Sequence, residues 1–328
     1  MELAEHWPGR LLSTSRGPVF VRHPMRVDHG PGVAPREDER PRLQPMLFVH
    51  GLGGESLDWA DVATELSDRV DTYALDLPGF ADSPLPTDGD LTLDGVARAI
   101  AEVASLIGSP VHLVGNSMGG AAAVRVAAEH PELVCSLTLL SPALPDLRPR
   151  FASAQLTVAL LPVVGPLIVR AVMRADPEWM AKRVYALCYG EPAGVSPQRH
   201  ALELAALRRR AVLPHCARVY RTTLKVIVSS YLERGPRWLW RQAAAVGVPT
   251  LLIYGGRDRL VDPRMAVRAG RTFRDAEVLR LPDVGHVAHL EQPAAVAGAL
   301  REFLARPDLA RGMASGHGIV VQVDLPAR

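Results

Sequence analysis

The sequence predicts an α/β fold: a mostly parallel sheet flanked by helices, with a helical segment inserted between core strands. Three observations carry this expectation. Uncharged strand-like runs alternate with stretches of helical periodicity, the pattern of a sheet covered on both faces. The alternation stops near Leu144 and resumes after Trp240, and the stretch between them has no clear strand. The chain has 328 residues, 48% hydrophobic and 22% charged, which suits one large globular domain carrying an insertion.

The elements follow in order. "RLLSTSRGPVFVRHP" reads as two short strands about a Gly-Pro turn, and the Pro-, Gly- and charge-rich "VDHGPGVAPREDERPRLQ" reads as a loop. "PMLFVHG" is a buried-strand run that stops at glycine, and "SLDWADVATELSD" has its apolar residues at helical spacing. "VDTYALDLPG", "PVHLVG" and "SLTLLSPA" are the next three strands, with "LTLDGVARAIAEVASLIG" and "AAAVRVAAEHPELV" as the helices between them. After the insertion come the strand "PTLLIYGG", the helix "PRMAVRAGRTF", the strand "AEVLRLPDVGH" and the helix "PAAVAGALREFLAR". The expected division is residues 1–45 as N-terminal strands and loop, 46–143 with 241–306 as the core, 144–240 as the helical insertion, and 307–328 as a tail, either disordered or adding a strand.

Net charge is +2, and the positive charge is almost all arginine scattered along the chain, so no nucleic-acid partner is expected. Three widely spaced cysteines, Cys135, Cys188 and Cys216, suggest neither a disulfide framework nor metal-ligand spacing. The start, "MELAEHWPGRLL", lacks the basic segment and apolar core of a signal peptide, and the expected location is cytoplasmic. Phe151 to Val169 carries no charge, but Pro162, Gly165 and Pro166 interrupt it before a clean membrane-spanning helix is reached. No dinucleotide or nucleotide fingerprint and no metal-spaced cluster is present, so no cofactor and no metal are expected.

The chemistry centres on "GNSMGG", Gly115 to Gly120, at the junction of a strand and a helix. A serine on so sharp a turn requires glycines where a Cβ would clash, and the following helix aims its N-terminal N–H groups at it. A Gly-rich turn without chemistry is the alternative, and the serine's partners decide between the two. A serine hydroxyl is a weak nucleophile at neutral pH and needs a base oriented by a carboxylate. In a parallel sheet those partners follow later strands. "TLLIYGGRDRLVDP" presents Asp258 at one strand end and "VLRLPDVGHVAHLEQP" presents His286 at the next, giving the order Ser117, Asp258, His286. Asp262, Asp283 and Asp146 are the other carboxylates near strand ends. An oxyanion hole would combine the N–H of Met118 with that of Leu52 in "LFVHGLGG".

With these residues the sequence resembles the α/β-hydrolase superfamily, in the group with a helical cap between the sixth and seventh core strands. The resemblance rests on His50-Gly51-Leu52-Gly53, "DLPGFADS" (Asp76 to Ser83), "GNSMGG", "GGRD" (Gly255 to Asp258) and "GHVAHLEQP" (Gly285 to Pro293), and covers about Pro45 to Ala305. It favours Asp258 over Asp262 as the orienting acid, and it gives His50 a structural place in the oxyanion loop. One departure is Ala81, where relatives commonly have glycine.

The resemblance implies a serine hydrolase of carboxylic esters, esterase or lipase in type, acting on small-molecule substrates with apolar acyl groups. It also implies two alternatives: a meta-cleavage carbon–carbon hydrolase, which would need a cap arginine for the substrate carboxylate, and a non-catalytic ligand-binding protein of this fold. Val287 after the histidine departs from the aromatic residue common in carbon–carbon hydrolases. The apolar insertion invites two expectations, packing on the core and transient contact with a lipid interface. His289 is expected to pack in the following turn, and Arg208, Arg209 and Arg210 to line a solvated helix face or meet a substrate carboxylate.

Overall fold

A computed structural model describes residues 7–23, 43–108, 110–146, 157–310 and 322–324. Its sheet has nine strands in the order β1-β2-β4-β3-β5-β6-β7-β8-β9. The strands are β1 Gly9–Thr14, β2 Gly17–Arg22, β3 Pro45–Val49, β4 Asp71–Leu75, β5 Val111–Asn116, β6 Val134–Leu140, β7 Thr250–Gly255, β8 Ala276–Leu281 and β9 Gln322–Asp324. The hairpin β1–β2 joins the rest through the antiparallel pair β2–β4, and every pairing from β4 to β9 is parallel. The tail thus adds a strand at the β8 edge. The loop expected at 27–44 falls almost wholly outside the described residues.

Side-chain alternation builds the two faces. Leu47 and Val49 of β3 join one core with Leu113, Leu139 and Leu252, while Met46 and Phe48 join the other with Val114, Leu140 and Ile253. On the first face lie α2 Leu93–Ile107, α3 Ser117–Glu129, α8 Leu239–Ala245 and α9 Met265–Thr272; on the second lie α1 Ala60–Leu66 and α11 Pro293–Leu304. Strands buried on both sides explain the continuous apolar runs that the sequence shows.

Between β6 and β7 the described elements are helical: α4 Val164–Met173, α5 Pro177–Cys188, α6 Pro197–Val212 and α7 Cys216–Ser230, with a 3-10 turn at Thr157–Leu160. The helix α8 crosses the expected boundary at 240, and its Leu239, Trp240 and Ala243 belong to the sheet core. A separate small core of Ala181, Tyr185, Tyr189, Leu204 and Leu207 joins α5 to α6, with Val287 and Leu290 packed against it. The short elements α10 Ala288–Glu291 and α12 Pro307–Ala310 and the 3-10 turns Ser56–Trp59, Pro131–Leu133, Pro192–Gly194 and Gly235–Arg237 complete the described set. The uncharged stretch ending at Val169 lies partly outside the described residues, and no helix among the described residues is long and apolar enough to cross a membrane.

Ala81 stands at φ +44°, in the left-handed region that an L side chain rarely adopts. Glycine reaches this region without the cost that a Cβ adds, which is the physical reason to expect glycine at this turn.

Candidate active site

Ser117 is the first residue of α3, directly after β5, and its φ is +53°. A non-glycine residue in this region costs on the order of 1–2 kcal/mol, strain that a packed surround must hold. The packing here is close enough to exclude side chains. A Cβ on Gly115 would lie 2.7 Å from the carbonyl oxygen of Gly119, and one on Gly119 would collide with the carbonyl oxygen of His50. A Cβ on Gly51 would approach Cβ of Ser117 to 3.1 Å, so the loop after β3 lies directly against the serine. Met118, next in the first turn of α3, and Leu52, next after Gly51, carry N–H groups in this corner. First-turn N–H groups have no intrahelical acceptor, and the helix dipole adds positive potential.

The loop after β3 is fixed by buried polar contacts. His50 donates from Nδ1 to the Gly51 carbonyl at 2.8 Å and accepts the Leu77 N–H on Nε2 at 2.9 Å. Burial holds this imidazole below its ordinary pKa. Asp76 accepts the N–H of Ser56 at 2.6 Å and that of Asp82 at 3.0 Å. Burial pushes its carboxyl up to about 6.

His286 donates from Nδ1 to Oδ2 of Asp258 at 2.8 Å. The other carboxylate oxygen of Asp258 accepts the N–H groups of Leu260 at 2.8 Å and Val261 at 2.9 Å. Burial works to raise the Asp258 carboxyl, but the imidazole and these N–H donors outweigh it and hold the group below the usual carboxylate range. An imidazole that donates from Nδ1 to a carboxylate keeps a lone pair on Nε2. The other carboxylates near these strand ends are held elsewhere: Asp262 by Arg264, and Asp283 by Arg257 at 2.6 Å. Asp146 lies near Tyr231, where burial and this carboxylate together push the phenol up to about 12. His289 is buried and stacks on Trp59 with ring centroids 4.1 Å apart.

Several residues here were not singled out by sequence. Asn116 donates from Nδ2 to the carbonyls of Leu140 at 3.0 Å and His286 at 3.2 Å, tying the residue before the serine to the histidine itself. Glu291 receives the N–H of Gly190 and that of Gly285, each at 2.7 Å, and the N–H of His286 reaches the Cys188 carbonyl at 2.6 Å. The end of α5 is thus bonded to the histidine loop. Asp58 pairs with Arg199 of α6 at 3.0 Å, and Glu55 takes Arg209 at 2.6 Å. Arg210 faces Glu203 at 4.0 Å. The expectation of a solvated face therefore fails for Arg210, which is half-buried, while Arg209 stays exposed although it pairs with Glu55. A carboxylate of α6 itself draws Arg210 in, and Arg208 is exposed without a described ion pair.

The model of the alpha/beta hydrolase fold family matches residues 44–293. The chain belongs to this family. Among curated relatives, the monoacylglycerol lipase ABHD6 of Bos taurus is 29% identical over 276 residues, covering 81% of this chain and 77% of that protein. Lipase 3 of Moraxella sp. is 26% identical over 275 residues, covering 81% and 79%. Among solved structures, a membrane phospholipase A described as a bacterial virulence factor gives a TM-score of 0.72 at 24% identity, covering 92% of this chain and 87% of that one. A 2-hydroxy-6-oxo-6-phenylhexa-2,4-dienoate hydrolase from Rhodococcus gives 0.70 at 18%, covering 91% and 98%. At these identities the structural likeness speaks for the fold. With lipases and a methyl ester esterase among its curated relatives, the chain is a hydrolase of this family.

Proposed function

We propose that this protein hydrolyses carboxylic esters with apolar acyl groups through an acyl-enzyme on Ser117. The observation that carries the proposal is the buried bond from His286 to Asp258, beside a positive-φ serine whose neighbour Asn116 holds the histidine. In this reading His286 takes the Ser117 proton on Nε2 as the oxygen attacks the acyl carbonyl. The N–H groups of Leu52 and Met118 receive the oxyanion, each contributing on the order of 10²–10³ in rate. His286 then protonates the leaving alcohol and activates water for deacylation, while Asp258 holds the imidazole and balances its charge. The helices of 144–240 serve as a cap over the acyl pocket. The lipase and esterase names of relatives support the ester class.

The carbon–carbon hydrolase alternative needs a cap cation for a substrate carboxylate. Arg199, Arg209 and Arg210 of α6 already face Asp58, Glu55 and Glu203, which favours a neutral acyl substrate. p-Nitrophenyl esters of graded chain length test the proposal. Turnover should appear, rise with chain length and vanish in Ser117→Ala. Equal turnover by that variant, or yellow ring-fission product consumed in place of every ester, contradicts it.

A further inference from the structure

We infer that α4 and α7 together form a docking face for an anionic lipid surface. It stands independently of the ester-hydrolase reading, because binding to a bilayer requires no turnover.

The argument begins with exposure. Of thirteen large apolar side chains exposed among the described residues, eight fall within residues 157–175 and 211–232. Val163 is 79% exposed, Leu167 65%, and Leu161 and Val164 49% each. The inward side of α4 is apolar as well, with Gly165 and Val169 buried. A helix apolar on both sides lacks the polar face that water would require.

This surface is held in place. Arg221 of α7 donates from Nε to the Ala159 carbonyl at 3.0 Å, and a Cβ on Gly165 would collide with that same carbonyl. Sγ of Cys216 meets Sδ of Met173 at 4.0 Å, joining the start of α7 to the end of α4. Leu161, Val163, Val164 and Leu167 are therefore presented by packed elements.

Charge selects the occupant. The whole chain balances 37 basic residues against 35 acidic ones. The segments 157–175 and 211–232 carry Arg170, Arg174, Arg218, Arg221 and Lys225, and neither segment contains Asp or Glu. Arg170 follows Leu167 by one turn of helix and Arg174 by about two, and both are exposed. Apolar side chains beside Arg170 and Arg174, neither of which is in a described ion pair, match the boundary of a bilayer with anionic headgroups, where the apolar residues enter the acyl edge and the cations meet phosphate. The same fit explains how an apolar face is tolerated where no helix among the described residues is long enough to span.

Flotation with vesicles tests this on full-length Ser117→Ala protein, which leaves the lipid intact. Vesicles of phosphatidylcholine mixed with phosphatidylglycerol should carry the protein up, and pure phosphatidylcholine should carry far less. Val163→Glu with Leu167→Glu should weaken binding at least about tenfold. Arg170→Gln with Arg174→Gln should remove the preference for anionic lipid, and added salt should do the same. In the active background, neither pair should change turnover of a soluble ester. Flotation equal for wild type and the glutamate pair overturns the inference, as does no flotation on either vesicle. So does a concentration-dependent dimer that the glutamate pair dissolves while vesicle binding is absent.

Discussion

The side-chain amide of Asn116 is bonded to the backbone of His286, 170 residues further along the chain, at 3.2 Å. The same amide reaches the Leu140 carbonyl, so one side chain joins the ends of β5 and β6 to the histidine loop. A serine hydrolase needs its base held to a fraction of an ångström, and a misplacement of about 1 Å can cost on the order of 100-fold. Asn116 is therefore a positioning residue in the proposed mechanism.

Asn116→Ala should lower kcat for ester hydrolysis by roughly ten- to a hundredfold with little change in KM, since no substrate group is lost. It also leaves two carbonyls without this donor, a loss of about 1–3 kcal/mol measurable by urea unfolding. A merely structural role would show the stability loss with kcat per folded molecule unchanged.

The fold class was legible because the central strands β3, β5, β6 and β7 are buried on both faces and read as uncharged runs. The candidate site was legible where chemistry sits at strand ends: Ser117, Asp258 and His286 each follow a strand, and glycines mark the turns. The contacts that surround them were not. Asp58 and Arg199 lie 141 residues apart and join the segment after β3 to α6. No local pattern encodes a charge pair of that separation, and a run of three arginines gives the same periodicity whether it faces water or carboxylates. Asn116 was hidden for a related reason: inside "GNSMGG" it reads as a turn residue, while its partners come from β6 and the histidine loop.

The Asp58–Arg199 pair is buried on both sides. Removing one member strands the other charge. Arg199→Met should cost about 3–5 kcal/mol, and Asp58→Asn with Arg199→Met should recover a good part of it. A double-mutant cycle by chemical denaturation measures this; strictly additive losses would show that the pair does not couple α6 to the segment after β3.

Three buried histidines set a pH dependence of stability. Burial lowers the pKa of His50 and of His112, the latter to about 4, and that of His289 well below its ordinary value. Nearby Arg199 and His286 add to the effect at His289. The unfolded chain then binds protons that the folded one refuses. Stability is complete above the unfolded value of about 6.5 and is lost as pH falls toward the folded value. For His112 alone the loss between about 6.5 and about 4 amounts to roughly 3 kcal/mol. Thermal midpoints across this range should fall steeply in wild type and less steeply in His112→Asn. Parallel curves for the two would contradict the assignment.

The most direct measurement of the central claim is covalent labelling of the folded protein with a fluorophosphonate, read by intact mass and peptide mapping. The account predicts one adduct, on Ser117, that is absent in Ser117→Ala and formed far more slowly in His286→Ala. An unlabelled Ser117 in folded protein, or an adduct mapped to another residue, would contradict it.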